Sequence, residues 1–352
     1  MAKFRLVSLI TLFIVLVTLS VFVGYTNSAP VPAKEIELRF ASYVGQTTTP
    51  GAKVIEPWSK LVEKATNGKV KITIYPSETL CKMADTPNAI TTGIADIALG
   101  LGGVPPGRFP MSDVLYLPFS PWGISSELSS LVQQRMYAEG GLGKEWSDMK
   151  QLFFLSISPA RLFTRKPVRS LADFKGLKLA SNSTIVSKTV EALGATALNI
   201  PQPDYYISHQ TGVVDGFTAP WEFCATRKMY EVVNYVTDYP IFVAYFYYVM
   251  NLNKWNSLPP DVQKAIANIS GMWAAKEYGP VGDISDQKAK AEIVTPKLRE
   301  VIKLSPDEQE KWRKATEPVW SWWIDDANKK GLPGKELVDA AFRITEAVEK
   351  GK

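Results

Sequence analysis

The sequence predicts an α/β protein with two lobes on either side of a central cleft. A short strand and a helix occupy residues 177–194, and a second unit of the same kind ends at Gly216. A similar alternation of strands and helices runs through residues 36–101. Strands that alternate with helices are typical of a parallel sheet. Each of the two stretches is therefore expected to form one lobe.

The first lobe is expected to open with a strand at residues 36–41. Alternating apolar residues predict a second strand near Ile72, and residues 97–99 predict a third. In open α/β sheets, ligands bind beyond the carboxyl ends of the strands. Tyr43 and Gly102 follow two of these strands, and both are therefore candidate ligand contacts.

Two segments are expected to carry the chain between the lobes. Residues 151–158 predict a strand that ends at a hinge at Pro159, and one long aromatic strand at residues 241–251 returns the chain to the first lobe. Two crossings of this kind imply a cleft that closes about hinges. The predicted boundaries are residues 34–158 plus 243–300 for lobe I, residues 159–242 for lobe II, and residues 301–352 for a helical segment that packs across both lobes.

The start of this helical segment has its own signal. Ser305 is followed three residues later by Glu308, which is the pattern of a capping box. Its tryptophans are expected to anchor the segment on the two lobes. They are Trp312, Trp320, Trp322 and Trp323.

The N-terminus has the pattern of an export signal. Lys3 and Arg5 precede an uncharged apolar run over residues 6–24. Residues 1–29 are therefore expected to direct export, with cleavage after Ala29 or Ala33. An uncleaved membrane anchor is the alternative, because about 20 apolar residues can span a bilayer.

Composition and residue counts disfavour catalysis, metal binding and nucleic-acid binding. The net charge of +5 comes without a basic block, so nucleic acid is not an expected partner. His209 is the single histidine, and Cys81 and Cys224 are the only cysteines. One histidine and two distant thiols cannot build a His/Cys metal site, whereas an oxygen-ligand site at Glu222 or Asp215 stays open.

The cysteines are expected to be two separate packed thiols, although a disulfide is allowed. Binding without a cofactor is the predicted role, and a two-lobed α/β enzyme is the alternative.

Several segments, in order along the chain, resemble the solute-binding subunit of TRAP (tripartite ATP-independent periplasmic) transporters. They read KATNGKVKITIYPSETL, NAITTGIADIALG, PGRFPMSDVLYLPF, KPVRSLADFKGLKL, EALGA, HQTGVVDG and MNLNKWNSLPPDVQKAI. The resemblance implies a two-lobed periplasmic-binding-protein-like fold with C-terminal helices that bridge the lobes. It also implies a periplasmic receptor, without enzymatic activity, that captures a small organic solute and delivers it to the membrane subunits of a TRAP permease.

Two positions depart from what the resemblance implies. Family members hold a solute carboxylate with an arginine two positions after the GLK motif, and this chain has Ala180 there. Members that bind acids often carry Asn before the later proline, where this chain has Ala219 before Pro220. The predicted solute is therefore a mono-acid or a neutral molecule with apolar or aromatic surface. A carboxylate held by Arg161, or by a metal near Glu222, is the alternative.

The remaining candidate ligand contacts come from predicted strand ends and from a predicted helix start. Arg161 is either a carboxylate contact or part of a salt bridge. Asn182 and Thr184 flank a helix N-terminus, where capping is their ordinary role. The aromatic run after Ala219 and the returning strand are expected to face the cleft. They contribute Trp221, Glu222, Phe223, Tyr245 and Tyr247.

Overall fold

The computed structural model describes residues 35–294 and 297–351. From Ile36 onward the chain forms one compact unit. The predicted export signal, its cleavage and the alternative membrane anchor lie outside the described residues. Among the helices that are described, none is long and apolar enough to cross a membrane.

Eleven β-strands in the described ranges form two sheets. The strands are β1 Ile36–Ser42, β2 Val70–Tyr75, β3 Ile97–Leu101, β4 Met149–Ser156, β5 Ala160–Thr164, β6 Lys178–Ser181, β7 Thr196–Asn199, β8 Gly216–Ala219, β9 Tyr235–Phe242, β10 Tyr245–Asn251 and β11 Glu300–Ile302. The first sheet has the order β2-β1-β3-β10-β4, and the second has the order β11-β9-β5-β8-β6-β7. Each sheet forms the centre of one lobe, and the lobes are named first and second accordingly.

The second sheet is parallel where the sequence alternates between strand and helix. Strand β6 pairs in parallel with both β7 and β8, as predicted. Strand β5 pairs antiparallel with β8 and β9. Strand β11 pairs in parallel with β9, so residues 300–302 belong to the second sheet. A first-lobe boundary at residue 300 is therefore wrong, because this short strand completes the edge of the other sheet.

The chain crosses between the sheets at two places. Strand β4 belongs to the first sheet and β5 to the second, so residues 157–159 make the first crossing. Strands β9 and β10 make the second crossing through Val243 and Ala244. The single strand predicted over residues 241–251 is therefore two strands, because each half pairs with a different sheet.

Eleven α-helices in the described ranges cover the sheets. They are α1 Glu56–Ala65, α2 Thr86–Thr91, α3 Ser126–Ala138, α4 Thr184–Ala192, α5 Tyr205–Gln210, α6 Trp221–Thr226, α7 Leu252–Ser257, α8 Pro260–Asn268, α9 Gly271–Val294, α10 Pro306–Lys329 and α11 Gly334–Glu349. Helix α4 is capped by Ser183, whose side chain accepts from the Val186 amide. A short helical turn at Leu142–Trp146 precedes strand β4, which begins at Met149.

Helix α10 contacts both lobes through its tryptophans. Trp312 packs edge-on against Phe174 of the second lobe, with ring centroids 4.8 Å apart. The Trp320 indole N–H donates to the Pro118 carbonyl at 3.0 Å, on the segment between β3 and α3. The predicted capping box is half made: Ser305 accepts from the Glu308 amide at 3.3 Å, whereas the Glu308 carboxylate accepts from the Leu171 amide at 2.8 Å.

His209 is a buried residue of the second lobe. Its Nδ1 accepts from Arg165 Nε at 3.2 Å, and its Nε2 lies 3.1 Å from the Asp215 carbonyl oxygen. A neutral imidazole ring therefore makes a hydrogen bond with each nitrogen: Nδ1 accepts and Nε2–H donates. Burial, together with the nearby Arg165 cation, lowers the pKa of His209 to about 4.

This lowered pKa makes stability depend on pH. The unfolded chain binds a proton on His209 below about pH 6.5, whereas the folded chain resists it until about pH 4. The contribution of His209 is therefore fully present above pH 6.5 and is lost as the pH falls towards 4. Urea unfolding across this window should show a loss of about 3 kcal/mol from this residue. His209→Gln should flatten that part of the profile, and an unchanged slope in the variant would contradict the assignment.

Candidate functional site

A cavity lies between the two sheets, beside both crossings. The empty space in the cavity and at its mouth, open solvent included, is about 710 Å³. Ile157, Ser158 and Ala244 contribute to its wall from the crossings. Six aromatic side chains also line it: Tyr43, Tyr116, Tyr205, Phe223, Phe242 and Phe246. A concave, mainly apolar site with a few polar groups is typical of small-molecule binding.

Arg227 brings a positive charge to this cavity. Its guanidinium carbon lies 4.2 Å from the centre of the Phe223 ring. Within the described ranges, neither a carboxylate nor a carbonyl oxygen accepts a hydrogen bond from it. Burial lowers the pKa of Arg227, and Tyr43 and Glu222 act in the opposite direction. Arginine remains protonated in proteins, so the cavity wall carries a cation that has no direct anionic partner in the described part of the chain.

Glu222 is the second charged residue among those that line the cavity, and it also connects the lobes. Only 4% of its surface is exposed. One carboxylate oxygen, Oε1, accepts from the Thr49 amide at 3.0 Å, and Thr49 follows strand β1 of the first lobe. The Glu222 amide donates to Asp286 on α9 at 3.0 Å. The structure therefore has the two lobes in contact across the cleft.

Four of the residues predicted from sequence line the cavity. They are Tyr43, Asn182, Glu222 and Phe223. The Tyr43 ring stacks on Phe246 with ring centroids 6.5 Å apart, which places it beside the first sheet. Asn182 precedes the N-cap of α4. Of the two alanines singled out by the motifs, Ala219 lines the cavity, whereas Ala180 is buried in the core of the second lobe.

Trp221 does not line the cavity, so its predicted position is wrong. Its ring is fully buried and meets Phe163 edge-on at 5.4 Å, in the core of the second lobe. The reason is local: strand β8 ends at Ala219 and α6 begins at Trp221. Successive residues of a helix point about 100° apart, so Glu222 and Phe223 reach the cavity while Trp221 packs on the sheet.

Tyr245 and Tyr247 are also absent from the cavity wall. Alternate residues of a strand point to opposite faces, and Phe246 takes the cavity side of β10. The tyrosine rings lie instead over two glycines of β3 and its end. A Cβ added to Gly102 would overlap the Tyr245 ring, and one added to Gly100 would overlap the Tyr247 ring. Gly102 therefore provides room for a core tyrosine and does not line the cavity.

Arg161 is held in a network of ion pairs, which was the other reading of this residue. Its Nε donates to Asp238 at 2.6 Å, and its Nη1 lies 3.1 Å from Asp286 on α9. Lys290 also pairs with Asp238 at 2.6 Å. Thr184 is exposed on the first turn of α4 and does not reach the cavity, because Ser183 makes the cap.

The placement of the described His, Cys, Asp and Glu side chains gives no support for a metal site. In the two described stretches, no group of three or more His, Cys, Asp or Glu residues is placed to hold a metal ion. The Asp215 carboxylate accepts from the Lys178 amide at 2.9 Å. Cys81 and Cys224 are free thiols, as expected.

Arg227 is the charged residue of the cavity wall that the sequence patterns missed, and four aromatic lining residues were also missed: Tyr116, Tyr205, Phe242 and Phe246. Arg227 follows the last residue of α6, a six-residue helix that the sequence patterns did not predict in the aromatic run after Ala219. Its position in the cavity depends on that helix. The available signal was one arginine five residues after Glu222, which is weak on its own.

Comparison with known proteins identifies the family. The DctP model, described as bacterial extracellular solute-binding protein, family 7, matches residues 40–326. The chain belongs to this family. Its members include the solute-binding subunits of TRAP transporters, as the relatives below illustrate.

Relatives with known names or structures agree with this membership. The C4-dicarboxylate-binding periplasmic protein DctP of Rhodobacter capsulatus is 26% identical over 301 residues, which is 83% of this chain and 87% of that protein. A TRAP solute-binding protein from an unidentified marine microbe, specific for aromatic acid ligands and solved with 3-hydroxybenzoate, is 29% identical. It has a TM-score of 0.84 and covers 89% of this chain and 98% of its own. A TRAP solute-binding protein of Rhodoferax ferrireducens T118, solved with copurified benzoate, shares the fold at 24% identity, with a TM-score of 0.85 over 90% of this chain and 99% of its own.

Proposed function

We propose that this chain is an extracytoplasmic receptor for a monocarboxylic acid with a bulky apolar, preferably aromatic, body. The observation that carries the proposal is the cationic Arg227 in an aromatic cavity between the lobes. The receptor delivers its solute unchanged to the membrane subunits of a TRAP permease. Export follows from the signal-like pattern of residues 1–24.

The charges of the cavity wall favour one carboxylate over two. A guanidinium offers paired donors that match a carboxylate, and burial strengthens the pair. Arg227 can serve one such group. A C4-diacid would place its second carboxylate without a cation, beside the Glu222 carboxylate, which is unfavourable. Arg161 does not supply the missing charge, because Asp238 and Asp286 already pair with it.

The aromatic wall suits the rest of the solute. Tyr43 and Phe246 approach from the first lobe, and Phe223 and Phe242 approach from the second. Flat side chains of this kind bury apolar area and favour stacked or edge-on contacts with a ring. The marine relative that is specific for aromatic acids is consistent with this class of solute.

Closure of the two lobes on the solute is the change by which the receptor signals to the permease that it is loaded. A solute that touches both lobes is fully bound only in the closed form, so it shifts the population towards that form. Residues 157–159 and 243–244 are the proposed hinges, because the chain passes between the sheets there.

Calorimetry and small-angle scattering of the mature chain test this function together. Benzoate or phenylacetate should bind, and succinate should bind at least tenfold more weakly. The acid that binds best should also reduce the radius of gyration at saturation, because the lobes close on it. Tighter binding of succinate, or an unchanged scattering curve at saturation, would contradict the proposal.

A further inference from the structure

We infer that Glu222 is a specificity residue of this cavity, and that the solute carries an O–H or N–H donor that Glu222 accepts. The inference rests on the proposed function and narrows its solute. It assigns a hydroxy- or amino-substituted apolar monocarboxylic acid, with the carboxylate on Arg227 and the donor on Glu222.

The first support is the incomplete hydrogen bonding of a buried carboxylate. An ionised carboxylate offers about four acceptor positions. The Thr49 amide occupies Oε1 of Glu222 at 3.0 Å. Among the described residues, no side-chain or backbone donor reaches the other oxygen, Oε2. Since burial without such partners is costly, a donor brought by the solute would be strongly favoured.

The second support is that the two charges of the cavity do not neutralise each other directly. Glu222 and Arg227 both line the wall, and within the described ranges they form no ion pair. Burial raises the pKa of the Tyr43 hydroxyl, and the two charges act on it in opposite directions, because Arg227 lowers that pKa and Glu222 raises it. A solute in the cavity therefore meets a cation and an anion at once.

Charge balance then distinguishes between kinds of monocarboxylic acid. An unsubstituted acid satisfies Arg227 but brings a second negative charge near Glu222. An acid with a hydroxyl or amino group can turn a donor towards Glu222 and offset that repulsion. Sites built to hydrogen-bond one substrate group reject the analogue that lacks it, because their buried polar atoms stay unpaired.

Matched acids test the inference by calorimetry on the full mature chain. One series is benzoate, 3-hydroxybenzoate and 3-aminobenzoate, and the other is phenylacetate, mandelate and phenylglycine. In wild type, the best substituted acid of at least one series should bind about 10- to 100-fold more tightly than its unsubstituted parent, as hydrogen bonds to a charged group allow. The preferred substituent identifies the donor as hydroxyl or amine.

The variant Glu222→Gln removes the charge and keeps an oxygen for Thr49. It should bind the unsubstituted parent more tightly and the substituted acid more weakly, so that the ratio of their affinities falls to about threefold or less. Glu231→Gln is the control, because Glu231 is an exposed acid on the next turn that does not line the cavity. This control should keep the wild-type ratio.

The outcomes separate this inference from the proposed function. If wild type binds parent and substituted acids equally, the inference is wrong while the monocarboxylate receptor stands. If Glu222→Gln weakens both kinds of acid by the same factor, Glu222 acts only through Thr49, and the inference is also wrong. If no monocarboxylic acid binds to wild type, the proposed function itself fails.

Discussion

Replacing Arg227 with methionine is expected to reduce affinity for an aromatic monocarboxylic acid by at least 100-fold. The guanidinium is the cation of the cavity wall, and it lies over the Phe223 ring without an anionic partner among the described residues. Removing one member of a buried, hydrogen-bonded charge pair costs about 2–5 kcal/mol, because the remaining charge is left unpaired. Methionine keeps much of the side-chain volume, so the loss reports on the charge.

Calorimetric titration of the mature chain measures this effect, and two further variants interpret it. Arg227→Lys keeps the charge without the planar pair of donors, and it should lose about tenfold. Lys228→Met removes the neighbouring positive charge, which is exposed and does not line the cavity, and should change affinity by less than threefold. Full affinity in Arg227→Met would show that another group holds the carboxylate.

Replacing Trp221 with alanine is expected to lower the free energy of unfolding by about 3–5 kcal/mol. The indole ring is fully buried against Phe163, and the Lys290 ammonium lies 5.4 Å from its centre. The cost combines lost burial with a cavity that the surrounding sheet and helices fill only in part.

Urea denaturation measures this loss through a lower midpoint. Trp273→Ala is the matched control, because Trp273 is 38% exposed, and it should cost about 1 kcal/mol or less. A Trp221→Ala protein with wild-type stability and abolished binding would contradict the core position and return Trp221 to the ligand site.

The sequence predicted the lobes and the crossings because these depend on long-range pattern. Alternating strands and helices and the ordered motifs indicated two α/β sheets, and the structure has them. The break between β9 and β10 escaped prediction, since residues 241–251 are continuously apolar and aromatic. Sheet partners, which a single strand pattern does not reveal, separate the two halves.

Of the predicted site residues, Tyr43, Asn182, Glu222 and Phe223 line the cavity, whereas local geometry directs others away from it. Tyr43 lies beyond β1 and reaches the cavity. Trp221 was misplaced because a helix begins there, and Tyr245 because period-two alternation does not say which face is inward. Arg227 lines the cavity only because helix α6 precedes it and directs it there. The sequence pattern contains no signal for this change of direction.

A crystal structure of the mature chain with the best-binding aromatic acid tests the central claim most directly. The account predicts the acid in the cavity between the lobes, with its carboxylate within hydrogen-bonding distance of the Arg227 guanidinium and its ring against Tyr43 and Phe246. A carboxylate bound instead by Arg161, or a solute bound outside this cavity, would contradict it.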